Sequence, residues 1–275
     1  MTEDDSSTLQ SSGKMFRILE YLVRADGGGI TEISDATEIP KSTVHLHLQS
    51  LLDLGYVVRG DQRYEPSLRL FELGEQTRRN NEVYRKGRRE VDLLAEKTNA
   101  LVNLGVLEGG KARLLYLREL KGDQSKSSAS VSSEFEASRP SVSLLSENYD
   151  HVPGKTLDMH ATALGKSILA QLPQEKVDEI VDRHGLDNHT PNTITSRDHL
   201  FSELENVRSR GYAEDVEGRV EELCCVAASI CWGDEPVGAV SVSCLSDRWN
   251  GEFRERLSNE VMNTAHMIEI KLTHS

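Results

Sequence analysis

The sequence predicts an α+β protein, with a winged helix-turn-helix domain followed by a mixed α/β sheet domain able to enclose a small molecule. Three observations carry this prediction. Three short helical patterns and a β-hairpin pattern occupy residues 13–74, a charged helical stretch covers 75–98, and strand and helix patterns alternate over 99–275. Two domains are expected in a chain of 275 residues, because domains typically contain roughly 50–200 residues.

Residues 1–12 are acidic and rich in serine, and we expect a disordered tail there. They lack the basic start and apolar core of a signal peptide, and no apolar run of about 18 residues could span a membrane. The four cysteines contain no Cys-x-x-Cys pair, which argues against a disulfide scaffold and a zinc site. The sequence therefore predicts a cytoplasmic protein without a metal or another cofactor.

The net charge of the chain argues against DNA binding, which is one of its candidate functions. The net charge is −13, and the first 80 residues carry nine Lys and Arg against thirteen Asp and Glu, a net charge of −4. Contacts to DNA phosphates require Lys and Arg. A halophilic source, whose proteins adapt to high internal salt, is one hypothesis for this acidity. The prediction of DNA binding then depends on the residue pattern rather than on charge.

The first helix is predicted from apolar residues at helical spacing, Met15, Ile18, Leu19, Leu22 and Val23, which end before the glycines 27–29. Thr31 is expected to cap a short second helix. That helix must end near Ile39, because Pro40 disfavours helical backbone in the residue before it.

Pro40 suits the first turn of a third helix, whose predicted buried stripe is Val44, Leu48, Leu51 and Leu52. The outward residues include no acidic side chain, and this is the helix-turn-helix pattern. We expect this helix to enter the major groove and to contact bases or phosphates through Lys41, Ser42, Thr43, His45 and Gln49.

A strand over 56–59, a turn over 60–62 and a second strand at 63–64 predict a β-hairpin wing. Arg59 and Arg63 would contact the DNA backbone or the minor groove. One alternative stays open, because a winged helix can also serve only as a dimerisation module. His45 and His47 stand two residues apart and point in different directions on a helix, which argues against a metal pair.

The segment 68–74 predicts a short helix that ends at Gly74, and 75–98 predicts a linker helix. Its sparse apolar stripe of Tyr84, Val91 and Leu94 could pack on a second copy of the chain or on its own C-terminal domain.

In the C-terminal part, strands are predicted at 101–106, 113–117, 224–232 and 237–244, and a long polar loop at 122–155. Helices are predicted at 162–172, 174–183, 201–210 and 251–271.

The sequence contains no complete enzyme motif among those considered, and no catalytic residue is predicted. Gly165-Lys166-Ser167 lacks the earlier glycine of a phosphate-binding loop, because His160 stands there. Cys225 follows a predicted loop that contains Asp215 and Glu217, yet no histidine lies near it in the sequence to act as a base. A buried structural cysteine is favoured over a small-molecule enzyme that uses Cys225 and Asp215.

Several stretches together resemble the IclR family of transcriptional regulators. In the first half they are the segments 39–45, 51–56 and 70–74, and in the second half 159–170, 210–213, 225–228 and 238–243. Motifs in both halves agree in their order, from about Gly13 to the C-terminus.

The resemblance implies a DNA-binding regulator with a GAF-like effector domain, assembled as dimers or tetramers on palindromic operators. The implied effector is a small organic acid, an aromatic compound or a sugar metabolite. The pocket positions implied by the resemblance are Met159, Ala163, Leu164, Asp215 and Cys225, with Ser241 and Ser243 at the wall. Apolar walls would hold the ligand, and backbone N–H groups at the start of the 162–172 helix could receive a carboxylate.

The chain departs from the family pattern in three places. The family usually has Arg and then Leu after the position of His45, where Leu46 and His47 stand here. Glu222 replaces a common glycine before the cysteine-containing strand, and the loop 122–155 is longer than usual. The first departure removes or moves a DNA contact, and the other two border the implied pocket.

Overall fold

The structure, a computed structural model, describes residues 10–61, 63–119 and 152–274. They form two compact units divided between Thr77 and Arg78. The first nine residues of the predicted tail and most of the predicted loop 122–155 lie outside the described residues. Helix α1 (Gln10–Arg24) begins inside the predicted tail, so its last three residues are helical.

The N-terminal unit contains three helices and a hairpin. After α1 come α2 (Ile30–Thr37), α3 (Lys41–Asp53) and the antiparallel strands β1 (Val57–Arg59) and β2 (Tyr64–Pro66). The predicted apolar stripes form one core, whose fully buried members include Ile18, Leu22, Ile33, Val44 and Leu48. The hairpin is joined to the turn before α2, because Gly28 and Tyr64 exchange backbone hydrogen bonds of 2.9 and 3.0 Å. This confirms the predicted winged helix-turn-helix.

The prediction that Thr31 caps α2 is wrong. The cap is Gly29, whose backbone N–H donates to the Glu32 carboxylate at 3.0 Å. A glutamate three residues after the cap satisfies a free N–H at the helix start, so the helix begins two residues earlier than expected. It ends at Thr37, and Glu38 adopts a left-handed conformation with φ of 57° before Pro40.

Gly74 does not end its helix, contrary to the prediction. Helix α4 (Arg69–Asn80) continues through Gly74, and a helix interior tolerates glycine at a modest cost. The interruption comes at Asn81, whose side chain accepts a hydrogen bond of 3.2 Å from Tyr84 N and caps α5 (Glu82–Thr98). The single helix predicted over 75–98 is therefore two helices.

The C-terminal unit is built on a six-stranded antiparallel sheet with the order β5-β4-β3-β8-β7-β6. Its strands are β3 (Leu101–Glu108), β4 (Lys111–Arg118), β5 (Thr156–Leu157), β6 (Ala213–Val216), β7 (Leu223–Trp232) and β8 (Glu235–Leu245). The described helices are α6 (Ala163–Leu169), α7 (Gln174–His184), α8 (Arg197–Arg210) and α9 (Gly251–Thr273). Strand β6 was not predicted, and Asp215 lies in it rather than in a loop.

Helices cover both faces of this sheet. On one face α5 and α9 pack on alternate strand residues such as Val102, Val226 and Val242. The stripe of Tyr84, Val91 and Leu94 is buried here, so it packs on its own C-terminal domain. The opposite face carries α6, α7 and α8 on the intervening residues. Among the described residues no helix is long and apolar enough to cross a membrane.

Candidate DNA-binding and effector sites

The outer face of α3 is the candidate DNA-binding surface. Val44, Leu48 and Leu51 hold the helix against the core of the N-terminal unit. Of the predicted contact residues, Lys41, Ser42 and His45 are exposed, and Thr43 and Gln49 are half-buried. All five therefore remain at or near the surface of one short helix, which is the arrangement that a recognition helix requires.

Leu46 and His47 show how the departure from the family pattern is accommodated. Leu46, where the family usually has Arg, is 67% exposed, and His47 is buried. His45 and His47 thus face opposite environments, as their spacing predicted. Leu46 joins the outward face, a position that the residue-by-residue prediction left out. An apolar side chain there can contact a thymine methyl group but cannot pair with a phosphate.

The two wing arginines differ in their surroundings. Arg59 is exposed, and its guanidinium carbon lies 5.8 Å from the centroid of the Tyr64 ring. Arg63 donates a hydrogen bond of 3.1 Å from Nη2 to the Gly27 carbonyl oxygen. Arg63 therefore helps to hold the wing against the turn that precedes α2. The guanidinium of Arg59 is more available to a phosphate.

The predicted effector residues come together beneath α6. Asp215 on β6 is paired with Cys225 on β7, and Cys225 is paired with Ser243 on β8. Ser241 stands two residues before Ser243 on the same face of β8. We call these four residues the polar row. Met159, Ala163 and Leu164 are buried in the core cluster that covers this face.

Two polar residues that the sequence reasoning missed belong to the same region. Asn103 on β3 is paired with Ser241, and its Nδ2 donates to Ser243 Oγ at 3.4 Å. The Cys225 thiol donates to the same Ser243 Oγ at 3.1 Å. Lys166 on α6 is buried and feels the charge of Asp215. The available signals were an Asn inside an apolar strand pattern and a Lys inside an apolar helix pattern.

Burial controls the electrostatics of the polar row. Desolvation raises the pKa of Asp215 from 3.8 to about 6, although the positive charge of Lys166 and the Gly218 N–H, 2.7 Å from Oδ1, oppose the rise. Desolvation also lowers the pKa of Lys166. The pKa of the Cys225 thiol is raised well above its ordinary value by burial, so the thiol is a poor nucleophile.

Helix α6 packs closely against the backbone of the segment that precedes it. A Cβ atom on Gly165 would lie 2.3 Å from the Met159 carbonyl oxygen, so glycine is required there. The start of α6 is capped by Thr162, whose hydroxyl oxygen accepts from Gly165 N at 3.0 Å. One of the N–H groups that was expected to receive an effector carboxylate is therefore already occupied.

Two clefts in the described residues lie beside the polar row rather than on it. A groove of about 640 Å³ runs between α7 and the β3–β4 turn, and a smaller cavity borders Met159 and His160. Both are offset from Asp215 and Cys225. Among the described residues no cluster of His, Cys, Asp or Glu is arranged to hold a metal ion.

A winged helix-turn-helix followed by a sheet domain with a buried polar row defines the class of effector-responsive DNA-binding regulators. The family models agree with this class. The IclR helix-turn-helix domain matches residues 13–61, and the C-terminal domain of the bacterial transcriptional regulator IclR matches residues 146–270. The chain belongs to the IclR family.

Similarities to individual proteins agree with this family assignment. The chain is 30% identical to the HTH-type transcriptional regulator KdgR of Dickeya chrysanthemi, and this match covers 79% of this chain and 64% of that protein. Its sequence is 28% identical to that of Thermotoga maritima IclR. Its fold matches the crystal structure of that protein with a TM-score of 0.72, over 97% of this chain and 100% of that chain.

An IclR homologue of Microbacterium hydrocarbonoxydans, complexed with 4-hydroxybenzoate, shares the fold at 18% identity. Its TM-score is 0.74, and the match covers 97% of this chain and 100% of that chain.

Proposed function

We propose that this chain binds a DNA operator through α3 and the wing, and that a small carboxylate effector in the polar row controls its operator affinity. The observation that carries the proposal is the outer face of α3 from residue 41 to residue 50, which contains no acidic residue and holds Lys41, Ser42 and His45 away from the core. Thr43 and Gln49 would add base or phosphate contacts, and Arg59 and Arg63 would contact the backbone or minor groove. Because its target is DNA, we infer a cytoplasmic location.

The chemistry of the polar row supports a carboxylate effector. The hydroxyl groups of Ser241 and Ser243 and the ammonium group of Lys166 are donors, and Met159, Ala163 and Leu164 would contact the apolar part of the ligand. The 4-hydroxybenzoate complex of the homologue supports a carboxylate on this fold. Cys225 would pack against the ligand, and its raised pKa argues against a catalytic role.

Effector binding would couple to DNA binding because the polar row is closed. Its residues are buried, and we propose that a ligand enters when α6 or its flanking segments move away from the sheet. A ligand that binds the opened state shifts the population toward it and thereby changes operator affinity. Whether the change weakens or strengthens DNA binding depends on which state fits the operator.

A second copy of the chain is the expected protein partner. The N-terminal unit exposes five large apolar side chains on α1 and around α4, namely Phe16, Val23, Leu68, Phe71 and Leu73. Exposed apolar residues of this size are typical of protein interfaces. Dimerisation through this surface would place two recognition helices on a two-fold symmetric operator, and dimers could pair further into tetramers.

The same apolar surface favours one alternative, a ligand-binding dimerisation module that does not itself bind DNA specifically. The variant Lys41→Glu/Ser42→Glu separates the two functions, because it places two acidic groups on α3 and leaves the apolar surface intact. The control is Lys176→Glu, an exposed lysine on α7. We expect the double variant to lose at least about tenfold in affinity for DNA from upstream of its own gene, measured by fluorescence anisotropy. Unchanged affinity would support the alternative.

A further inference from the structure

Asn103 is a polar residue in the middle of strand β3, which is otherwise apolar from Leu101 to Leu107. Its side chain is 2% exposed. Nδ2 donates long hydrogen bonds to Ser241 Oγ at 3.5 Å and to Ser243 Oγ at 3.4 Å. Its carbonyl oxygen Oδ1 is buried and accepts no hydrogen bond from any described residue.

This arrangement costs free energy in the unliganded protein. Nearly all buried polar groups in proteins have a hydrogen-bond partner. A buried carbonyl oxygen without a partner loses its hydrogen bonds to water on folding and gains none within the protein. The two bonds of Nδ2 lie near the upper limit of hydrogen-bond length and offset little of that cost. A leucine, which has the same number of side-chain non-hydrogen atoms and the same branching as asparagine, would suit an apolar strand without the penalty. Folding alone therefore gives no reason for an asparagine here.

The neighbours of Asn103 point to a ligand. Its two hydrogen-bond partners, Ser241 and Ser243, are members of the polar row, and Ser243 also accepts from Cys225. Asn103 thus extends the polar row by one strand, from β8 to β3. An unpaired acceptor at the end of a binding site is satisfied when the ligand brings a donor to it.

We infer that Asn103 binds the effector, that its Oδ1 accepts a hydrogen bond from a hydroxyl group of the effector, and that the effector is a hydroxylated carboxylate. This inference rests on the proposed function of the polar row. The serine hydroxyls and Lys166 supply donors for the carboxylate, whereas Asn103 Oδ1 requires a donor from the ligand. A carboxylate without a hydroxyl group would leave Asn103 Oδ1 unpaired, and such sites discriminate strongly against the analogue that lacks the group.

The first test compares the full-length wild type with Asn103→Leu by calorimetric titration. The probes are matched pairs of carboxylates of equal carbon number, gluconate with hexanoate and lactate with propionate. We expect the wild type to bind the hydroxylated member of at least one pair at least about tenfold more tightly, which corresponds to one hydrogen bond. In Asn103→Leu that ratio falls toward one. A wild type that binds no hydroxylated member, or a variant that keeps the ratio, overturns the inference.

The second test needs no ligand and separates binding from a structural role. We expect the thermal midpoint of Asn103→Leu to equal or exceed that of the wild type, because an unpaired buried acceptor is removed. The matched control is Thr190→Val, since Thr190 Oγ1 is buried and paired, donating to Glu217 O at 2.6 Å and accepting from Asn192 N at 3.1 Å. That variant should have a lower midpoint. An equal loss in Asn103→Leu would assign Asn103 to folding and overturn the inference.

Failure of this inference is distinguishable from failure of the proposed function. Selective binding of the wild type to its upstream DNA is measured without any carboxylate. If DNA binding persists and no matched pair is discriminated, only the assignment of Asn103 fails. If the pairs are discriminated and no DNA fragment is preferred, the regulator proposal fails and Asn103 remains a ligand-binding residue.

Discussion

Replacing Gly165 with alanine tests the close packing that places α6 over the sheet. A Cβ atom at this position would lie 2.3 Å from the carbonyl oxygen and 2.4 Å from the Cα atom of Met159. Alanine is preferred over glycine in a helix by about 1 kcal/mol. Overpacking typically costs about 1–3 kcal/mol, and the cost belongs at the upper end here because backbone atoms on both sides must move. We therefore expect Gly165→Ala to lower the free energy of unfolding by about 2 kcal/mol, the cost of overpacking less the gain in helix preference.

The assay is urea unfolding followed by tryptophan fluorescence. The two tryptophans of the chain, Trp232 and Trp249, both lie in the C-terminal unit, so their signal reports on the unit that contains Gly165. The control is Gly251→Ala in the same unit, at the first residue of α9, where a Cβ atom meets nothing within 4 Å. We expect no loss of stability in the control. Equal stability of Gly165→Ala and wild type would refute the packing argument.

Two further predictions concern the polar row and the recognition helix. Burial raises the pKa of Asp215 to about 6, so between pH 4 and pH 6 the folded chain binds more protons than the unfolded chain and this group's contribution to stability falls as pH rises. The unfolding free energy of Asp215→Asn, minus that of the wild type, should therefore increase by about 2 kcal/mol from pH 4 to pH 7 in urea titrations, and a constant difference would contradict the electrostatic account. Leu46→Arg should steepen the salt dependence of DNA binding by about one phosphate contact, because Leu46 is exposed on the outer face of α3. The same change at Leu93, an exposed residue of α5, should leave the slope unaltered, and equal slopes for both variants would argue against α3 as the recognition helix.

The elements predicted from sequence are those with strong local signals. Helix α3 follows from Pro40 and an apolar stripe, and β7 and β8 from apolar runs that flank a turn. Strand β6 was missed because it has only four residues, two of them acidic, and is formed by pairing with β7. The boundary between α4 and α5 was misplaced because a glycine and an asparagine both interrupt helices, and local sequence does not decide between Gly74 and Asn81.

Only some residues of the candidate effector site could be identified from the sequence. The resemblance to the family indicated Asp215, Cys225, Ser241 and Ser243, and the sheet register then placed them on adjacent strands. Asn103 lies 138 residues from its partner Ser241, so no local pattern could join them. Its unpaired oxygen and its bonds to Ser241 and Ser243 depend on the register of β3 with β8, which only the folded structure contains.

The measurement that tests the central claim most directly is binding to DNA from upstream of the chain's own gene, across a salt series. The account predicts saturable binding that prefers this fragment to a scrambled one, weakens linearly on a plot of log affinity against log salt, and changes when a hydroxylated carboxylate is added. Affinity that persists at molar salt would support the halophilic hypothesis for the acidic composition. If no fragment is preferred at any salt, with or without the carboxylate panel, the chain is not an effector-controlled DNA-binding regulator of the kind proposed.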